Sequence, residues 1–262
     1  MNPRPIGIFD SGIGGTTIWR EIHRLLPWED TLYLADSKNA PYGERSKEEI
    51  LRLSIKNTEF LLGKGCKLIV VACNTATTNA ISYLRNNYKV PFIGIEPAIK
   101  PAALNSKSKK VGILATKGTL ASELFHYTAE NHANGITVLE CIGTGLVPLI
   151  EAGKLGSPDT RALLYRLLGP MLEEGIDYLV LGCTHYPYLI PALREILPAD
   201  VVILDSGLAV ARQTETVLRQ NGLLNSLHSP VAHGFYTNAD VGILRYFLND
   251  IKVDYTAEFL EF

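Results

Sequence analysis

The chain has 262 residues, 47% hydrophobic and 20% charged, with a formal net charge of −2 and a pI near 6.3. That balance predicts a packed globular protein of one large or two modest domains, and it argues against a nucleic-acid binder, which carries a strong basic face. Its apolar runs fall far short of the roughly 20 residues needed to span a bilayer. The N-terminal "MNPRPIGIFDSG" lacks a signal peptide's apolar stretch and cleavage pattern, so a cytoplasmic protein with reduced thiols and no membrane partner is expected.

Short β-branched apolar runs alternate with longer amphipathic segments, which reads as α/β. In chain order the expected strands are "PIGIFD" (5–10), "DTLYLA" (30–35), "KLIVVA" (67–72), "VPFIGI" (90–95), "KVGILA" (110–115), "TVLEC" (137–141), "DYLVLG" (177–182) and "VVILD" (201–205). Helices are expected to start near Thr16, Ser46, Thr77, Thr119, Pro158, Pro187 and Gly207. The second of them carries Ile50, Leu53, Phe60 and Leu61 on a helical period and stops at Gly63 and Gly65. Strands this apolar suit open, mostly parallel sheets covered on both faces.

The pattern then begins again. "IGIFDSGIGGTT" (6–17) has a counterpart in "VGILATKGTLAS" (111–122), and a strand ending in a cysteine follows each: Cys73 in "KLIVVACNTATT" and Cys183 in "DYLVLGCTHYP". Two similar α/β domains in pseudo-symmetric arrangement are expected, 1–97 plus 207–262 and 98–206, with the strand-like "AHGFYTN" (232–238) and flanking helices completing the first. Ligands of open α/β sheets bind outside the carboxyl ends of the strands. Asp10, Ser11, Asp36, Cys73, Asn74, Thr75, Glu96, Thr116, Cys183, Thr184 and His185 all fall there, so two thiols can flank one cleft between the domains.

"FDSGIGGTT" resembles a phosphate-binding turn, but its third small position is Thr17 and Asp10 would repel a pyrophosphate; no G-K-[ST] follows. The turn either faces Asp10 and Ser11 toward a small substrate bearing an ammonium group or simply lets a helix pack closely. A cysteine ending a buried strand is often only a small hydrophobe. Asn74 and Thr75 strengthen the functional reading of Cys73, since they offer uncharged donors at the start of a helix whose positive end favours a carboxylate; Thr77 or Thr78 is the expected cap. Cys183 has similar surroundings, with His185 able to hold or relay a proton and Glu151 as its candidate partner. Cys66 and Cys141 read as structural, and Lys107, Lys109 and Lys110 as a solvated loop. No zinc-type cysteine spacing occurs, so no metal is expected.

Two thiols allow several chemistries. One could act as nucleophile with His185 as base, giving a hydrolase. A symmetric role uses both: one thiolate removes a proton from a carbon and the opposite thiol returns one on the other face, which at an α-carbon inverts the stereocentre. Nothing marks a pyridoxal phosphate lysine, so no cofactor is expected and the carbanion would rest on fixed dipoles.

Together "PIGIFDSGIGG", "APYGERS", "VACNTAT", "GIEPAIKPA" and "LGCTHYP" resemble the glutamate racemases, in order and at the expected spacing from about residue 5 to beyond residue 210. The resemblance implies a cofactor-independent isomerase that supplies D-glutamate for bacterial peptidoglycan. Cys73 and Cys183 match its acid–base cysteines, with Asp10 assisting the first and His185 the second. Ser11, Tyr42, Gly43, Asn74, Thr75 and Thr184 match substrate-binding positions, and Thr116, Thr119 and Glu151 match further ones more loosely. Cys73 would face the proton of D-glutamate and Cys183 that of L-glutamate. Members differ in dimer arrangement, so a homodimer is admitted without being fixed. Tyr188 and Ile142 depart from the common pattern. Aspartate racemase is the nearest alternative, followed by a Cys/His isomerase or hydrolase.

Overall fold

The computed structural model describes residues 2–133, 135–225 and 230–262. The first half runs β1 (Ile6–Asp10), α1 (Thr16–Leu25), β2 (Thr31–Ala35), α2 (Lys47–Gly63), β3 (Leu68–Val71), α3 (Asn74–Asn87), β4 (Phe92–Gly94) and α4 (Ile99–Asn105). It continues with β5 (Lys110–Ala115), α5 (Lys117–Leu120), α6 (Glu123–His132), β6 (Thr137–Ile142), α7 (Leu146–Glu151), α8 (Pro158–Glu173), β7 (Tyr178–Gly182), α9 (Ile190–Ile196) and β8 (Val202–Leu204). The tail adds α10 (Gly207–Gln220), β9 (His233–Thr237), α11 (Val241–Leu248) and β10 (Thr256–Phe259).

Two sheets form, and every strand pairing in them is parallel. Their strand orders match: β2-β1-β3-β4 in one and β6-β5-β7-β8 in the other, with β9 and β10 extending the first beyond β2. In each sheet the first strand of the half lies beside the strand that ends in cysteine, β1 against β3 and β5 against β7. The apolar strands bury both faces. Ile6, Ile8, Leu68 and Val70 join one core that continues through Leu179 and Leu181 of the other sheet, while Phe9, Ile69 and Val71 pack against Ile50, Leu53 and Leu61 of α2. Ile113 and Val180 face a third core under α4 and α6. Among the described residues no helix is long and apolar enough to cross a membrane.

The expected elements differ from the structure mainly at their ends. α3 begins at Asn74, and its cap is Cys73 itself, whose sulfur accepts the Ala76 N–H at 3.4 Å. Thr77 instead pins β3 to the loop after β4, donating to the Val71 carbonyl and accepting from the Ile95 N–H. The helix expected at Thr119 is divided, because Thr116 caps α5 and Ser122 caps α6. After Cys183 the chain makes a 3₁₀ turn, Tyr186–Leu189, before the short α9. Phe60 is only half-buried on α2, where Ser54, Asn57 and Thr58 are buried instead.

At the end of the first sheet remote from the cysteines, Lys67 is buried against Glu29 at 2.5 Å and donates to the Asn2 carbonyl at 2.7 Å. The second Glu29 oxygen accepts the Asn225 N–H at 2.7 Å, so this pair fastens both the N-terminus and the returning tail. Lys67→Met would strand a buried carboxylate at a cost of about 3–5 kcal/mol. Thermal unfolding should therefore move down by roughly 10 °C; an unchanged midpoint would show that the pair contributes nothing net.

Candidate active site

The two cysteine-tipped strands deliver their thiols to one pocket, lined by Ser11, Tyr42, Gly43, Cys73, Asn74, Thr75, Thr116, Cys183, Thr184 and His185 together with Pro41 and Val147. Nearly all the residues expected from the sequence thus share one cleft. Asp10, Thr119 and Glu151 stand immediately behind its wall: Asp10 is fully buried beneath Ser11, Thr119 bonds Thr75 and Thr116, and Glu151 bonds His185. Asp36 lies farther back, and Glu96 is exposed and bonds Thr128 outside the pocket. Pro41, although inside the "APYGERS" motif, and Val147 were not expected, because apolar side chains carry no chemical signal in the sequence.

The surroundings of the thiols differ, contrary to the similarity expected. Cys73 caps a 14-residue helix, so its sulfur sits at the positive end of the dipole. Its Sγ also lies 3.6 Å from Ser11 Oγ. Burial and then the charge of Asp10 push this thiol well above its usual pKa, against the pull of the Ala76 N–H and Ser11 hydroxyl. Cys183 lies 3.8 Å from His185 Nδ1. The other ring nitrogen, Nε2, is 2.6 Å from Glu151 Oε1, and Asp10 Oδ2 is 4.0 Å from Nδ1. Burial disfavours the imidazolium, but the hydrogen bonds to Cys183 and Glu151 and the charge of Asp10 outweigh it, so His185 is held protonated well above the ordinary histidine range. One thiol is therefore served by a helix terminus and the other by a cation.

Asp10 joins the two sides. It accepts the Gly15 N–H at 2.7 Å and faces the hydroxyls of Ser11 and Thr184, each at 3.4 Å. Burial raises its pKa, while His185 and the Gly15 N–H oppose the rise.

The glycine turn has a function that neither expectation anticipated. A Cβ at Gly12 would stand 1.8 Å from Glu151 Oε1, and one at Gly14 2.3 Å from His185 Nδ1. The turn is bare so that the His185–Glu151 pair can lie on it. Glu151 is fixed there by the Ile13 N–H at 2.8 Å and the Ser37 hydroxyl at 3.1 Å.

On the other wall Thr75, Thr116 and Thr119 form a triangle of hydroxyls with separations of 2.8, 3.0 and 3.3 Å. Asn74 is 3% exposed, and among the described residues neither its amide nitrogen nor its oxygen has a hydrogen-bond partner. A buried amide left so costs free energy unless a ligand satisfies it. Tyr42 donates to Asp36 and accepts from Asn57 at 3.2 Å; burial and Asp36 hold its hydroxyl protonated. Asn238 also bonds Asp36, at 2.5 Å. Asn57 and Asn238 lie far from every motif, so sequence reading gave them no part in fixing Tyr42.

Comparison with known proteins bears on the family and the fold. The sequence model of the Asp/Glu/hydantoin racemases matches residues 6–214. The chain is 46% identical over 240 residues to a glutamate racemase of Herpetosiphon aurantiacus, covering 92% of this chain and 94% of that protein. Among solved structures, a glutamate racemase isoform of Bacillus anthracis superposes with a TM-score of 0.86 at 30% identity, covering 98% of each chain. The Escherichia coli glutamate racemase, solved with L-glutamate and the activator UDP-MurNAc-Ala, gives a TM-score of 0.85 at 35% identity over 97% of each chain. With its fold, its paired thiols and a family match over most of its length, the chain belongs to the Asp/Glu/hydantoin racemase family.

Proposed function

We propose that this protein is a glutamate racemase that interconverts L- and D-glutamate by two-base proton transfer between Cys73 and Cys183, without a cofactor. The observation that carries the reading is that both thiols line one pocket from corresponding strands of matching sheets. From L-glutamate, the Cys183 thiolate takes the α-proton while the Cys73 thiol gives its proton to the opposite face; D-glutamate runs the exchange in reverse. Each turnover moves one proton on and one off, leaving Cys183 protonated and Cys73 ionised after L-glutamate is consumed, and proton exchange with solvent returns the two thiols to their starting state before the next turnover. The His185 imidazolium pairs with the Cys183 thiolate. Asp10, behind Ser11 and Thr184, assists Cys73: together with burial, its charge keeps that thiol protonated as the acid.

Ser11, Asn74 and Thr184 bind the α-amino and α-carboxylate groups, with the unpartnered Asn74 amide completed by substrate. Tyr42, Gly43, Thr75 and Thr116 hold the distal carboxylate, Thr119 orders the hydroxyls behind them, and Glu151 steadies His185. The same reading divides the chain into 1–97 plus 207–262 and 98–206, which is supported by the pairing of β9 with β2 in the first sheet. It acts in the cytoplasm, where D-glutamate enters peptidoglycan synthesis, and a homodimer fits the reading without altering its chemistry.

Circular dichroism of L-glutamate incubated with the pure protein should decay to zero after dialysis against a chelator and a carbonyl reagent. Activity that vanished and returned only with pyridoxal phosphate would overturn the cofactor-free mechanism. A one-methylene difference is worth about 1–3 kcal/mol in a pocket, so glutamate should be preferred over aspartate by at least tenfold or so; equal turnover of aspartate would move the assignment to aspartate racemase.

A further inference from the structure

The first turn of α1 holds the backbone on both sides of His185. Thr17 Oγ1 shares its one proton between the Gly14 carbonyl at 2.9 Å and the Thr184 carbonyl at 3.1 Å, and Thr16 Oγ1 is hydrogen-bonded to the Tyr188 hydroxyl, three residues beyond the histidine. Thr16 has a single hydroxyl proton, and it goes to the Ile13 carbonyl at 2.6 Å. Tyr188 must then be the donor to Thr16. Its oxygen also faces the Arg20 guanidinium, which is itself tied to Asp250 at 2.6 and 2.9 Å and to the Phe247 carbonyl at 2.6 Å. The Tyr188 ring packs across Phe247 of α11 with centroids 4.6 Å apart. The contacts therefore run from α11 through Arg20, Tyr188 and Thr16 to Ile13, whose N–H holds Glu151 against His185. An aliphatic side chain at 188 would fill the space and break this connection.

We propose that Tyr188 and Thr16 are positioning residues for His185, fixing the loop that aligns its imidazole with Cys183. The inference rests on the reading of His185 as the partner of Cys183 in glutamate racemisation. Since Cys73 is served by a different element, the α3 terminus, loss of either hydroxyl should impair only one of the two proton transfers.

Overall racemisation cannot report this, because the equilibrium constant of unity obliges kcat/KM to fall equally in both directions. A glutamate analogue carrying a leaving group can, since its elimination needs only the base that removes the α-proton. Tyr188→Phe and Thr16→Val should each slow elimination from the L analogue about five- to tenfold, the worth of one hydrogen bond, and leave the D analogue unchanged. Thr16→Ser should restore the L rate. Equal losses on both enantiomers would indicate a general structural effect and overturn the proposal, as would unchanged L rates. Cys183→Ser and His185→Asn run alongside: if they spared the L analogue, the two-base reading itself would fall, and the positioning role with it.

Discussion

Cys73→Ser and Cys183→Ser are each expected to abolish racemisation while retaining proton abstraction from one enantiomer. A serine hydroxyl keeps the size and the hydrogen bonds of the thiol but is too weak an acid to supply an anion near neutral pH. Inversion needs a base on one face and an acid on the other, and a positioned acid–base group contributes about 10²–10⁴-fold, so each single variant should lose at least that much. Cys73→Ser keeps the Cys183–His185 pair and should still eliminate from the L analogue. Cys183→Ser keeps a thiol at the terminus of α3 and should act on the D analogue. The supports differ, so the residual activities should respond differently to a second change: His185→Asn should remove what remains in Cys73→Ser and spare what remains in Cys183→Ser. Chiral chromatography of product and unreacted analogue reads both. The same enantiomer preference in the two variants, or full racemisation by one of them, would refute a two-base mechanism and return attention to a Cys/His hydrolase.

The sequence carried the sheets well and the site unevenly, for reasons visible in particular residues. All eight expected strands of the two halves form: those inside the sheets are compact apolar runs buried on both faces, while β6 and β8, at the two edges of the second sheet, are partly exposed and are ordered by their pairing with β5 and β7. β10 was missed: "TAEF" is short and mostly exposed and borrows its order from β9. α4 and α7 were missed too, since Pro101 and Pro148 interrupt segments only 7 and 6 residues long. Within the site, cysteines, Asp10 and His185 stood out by their chemistry at strand ends. Glu151 is the carboxylate expected from the sequence beside His185, and the structure pairs the two, whereas nothing in the sequence linked Asn238 to Asp36. Glu151 reaches His185 from a helix 34 residues away, and Asn238 reaches Asp36 across 202. The second of these contacts is set by how the tail folds back along β2, and periodicity contains no trace of it. Nor did matching letters reveal that Cys73 opens a long helix while Cys183 opens a 3₁₀ turn.

Gly14→Ala is expected to cost nearly as much activity as a change to the chemistry itself. The added methyl would stand 2.3, 2.6 and 2.7 Å from Nδ1, Cγ and Cε1 of His185, all parts of a rigid ring. The imidazole has nowhere to retreat: Glu151 bonds Nε2 at 2.6 Å, and Asp10 lies 4.0 Å from Nδ1. The ring or the turn must shift by about an ångström, and a misplacement of that size costs about 10²-fold in rate. Elimination from the L analogue should suffer most, since it depends on the displaced histidine. Stability should fall less conspicuously, by the 1–3 kcal/mol or so of an overpacked core. Gly169→Ala serves as the contrast. It lies within α8, where a Cβ meets nothing within 4 Å apart from its chain neighbours, so it should leave activity intact; Pro170, next in the chain, crowds the Cβ of a preceding helical residue and offsets the gain ordinarily expected of Gly→Ala in a helix. Wild-type kcat/KM in Gly14→Ala, measured beside that control, would mean that the turn yields easily and that His185 does not need so exact a seat.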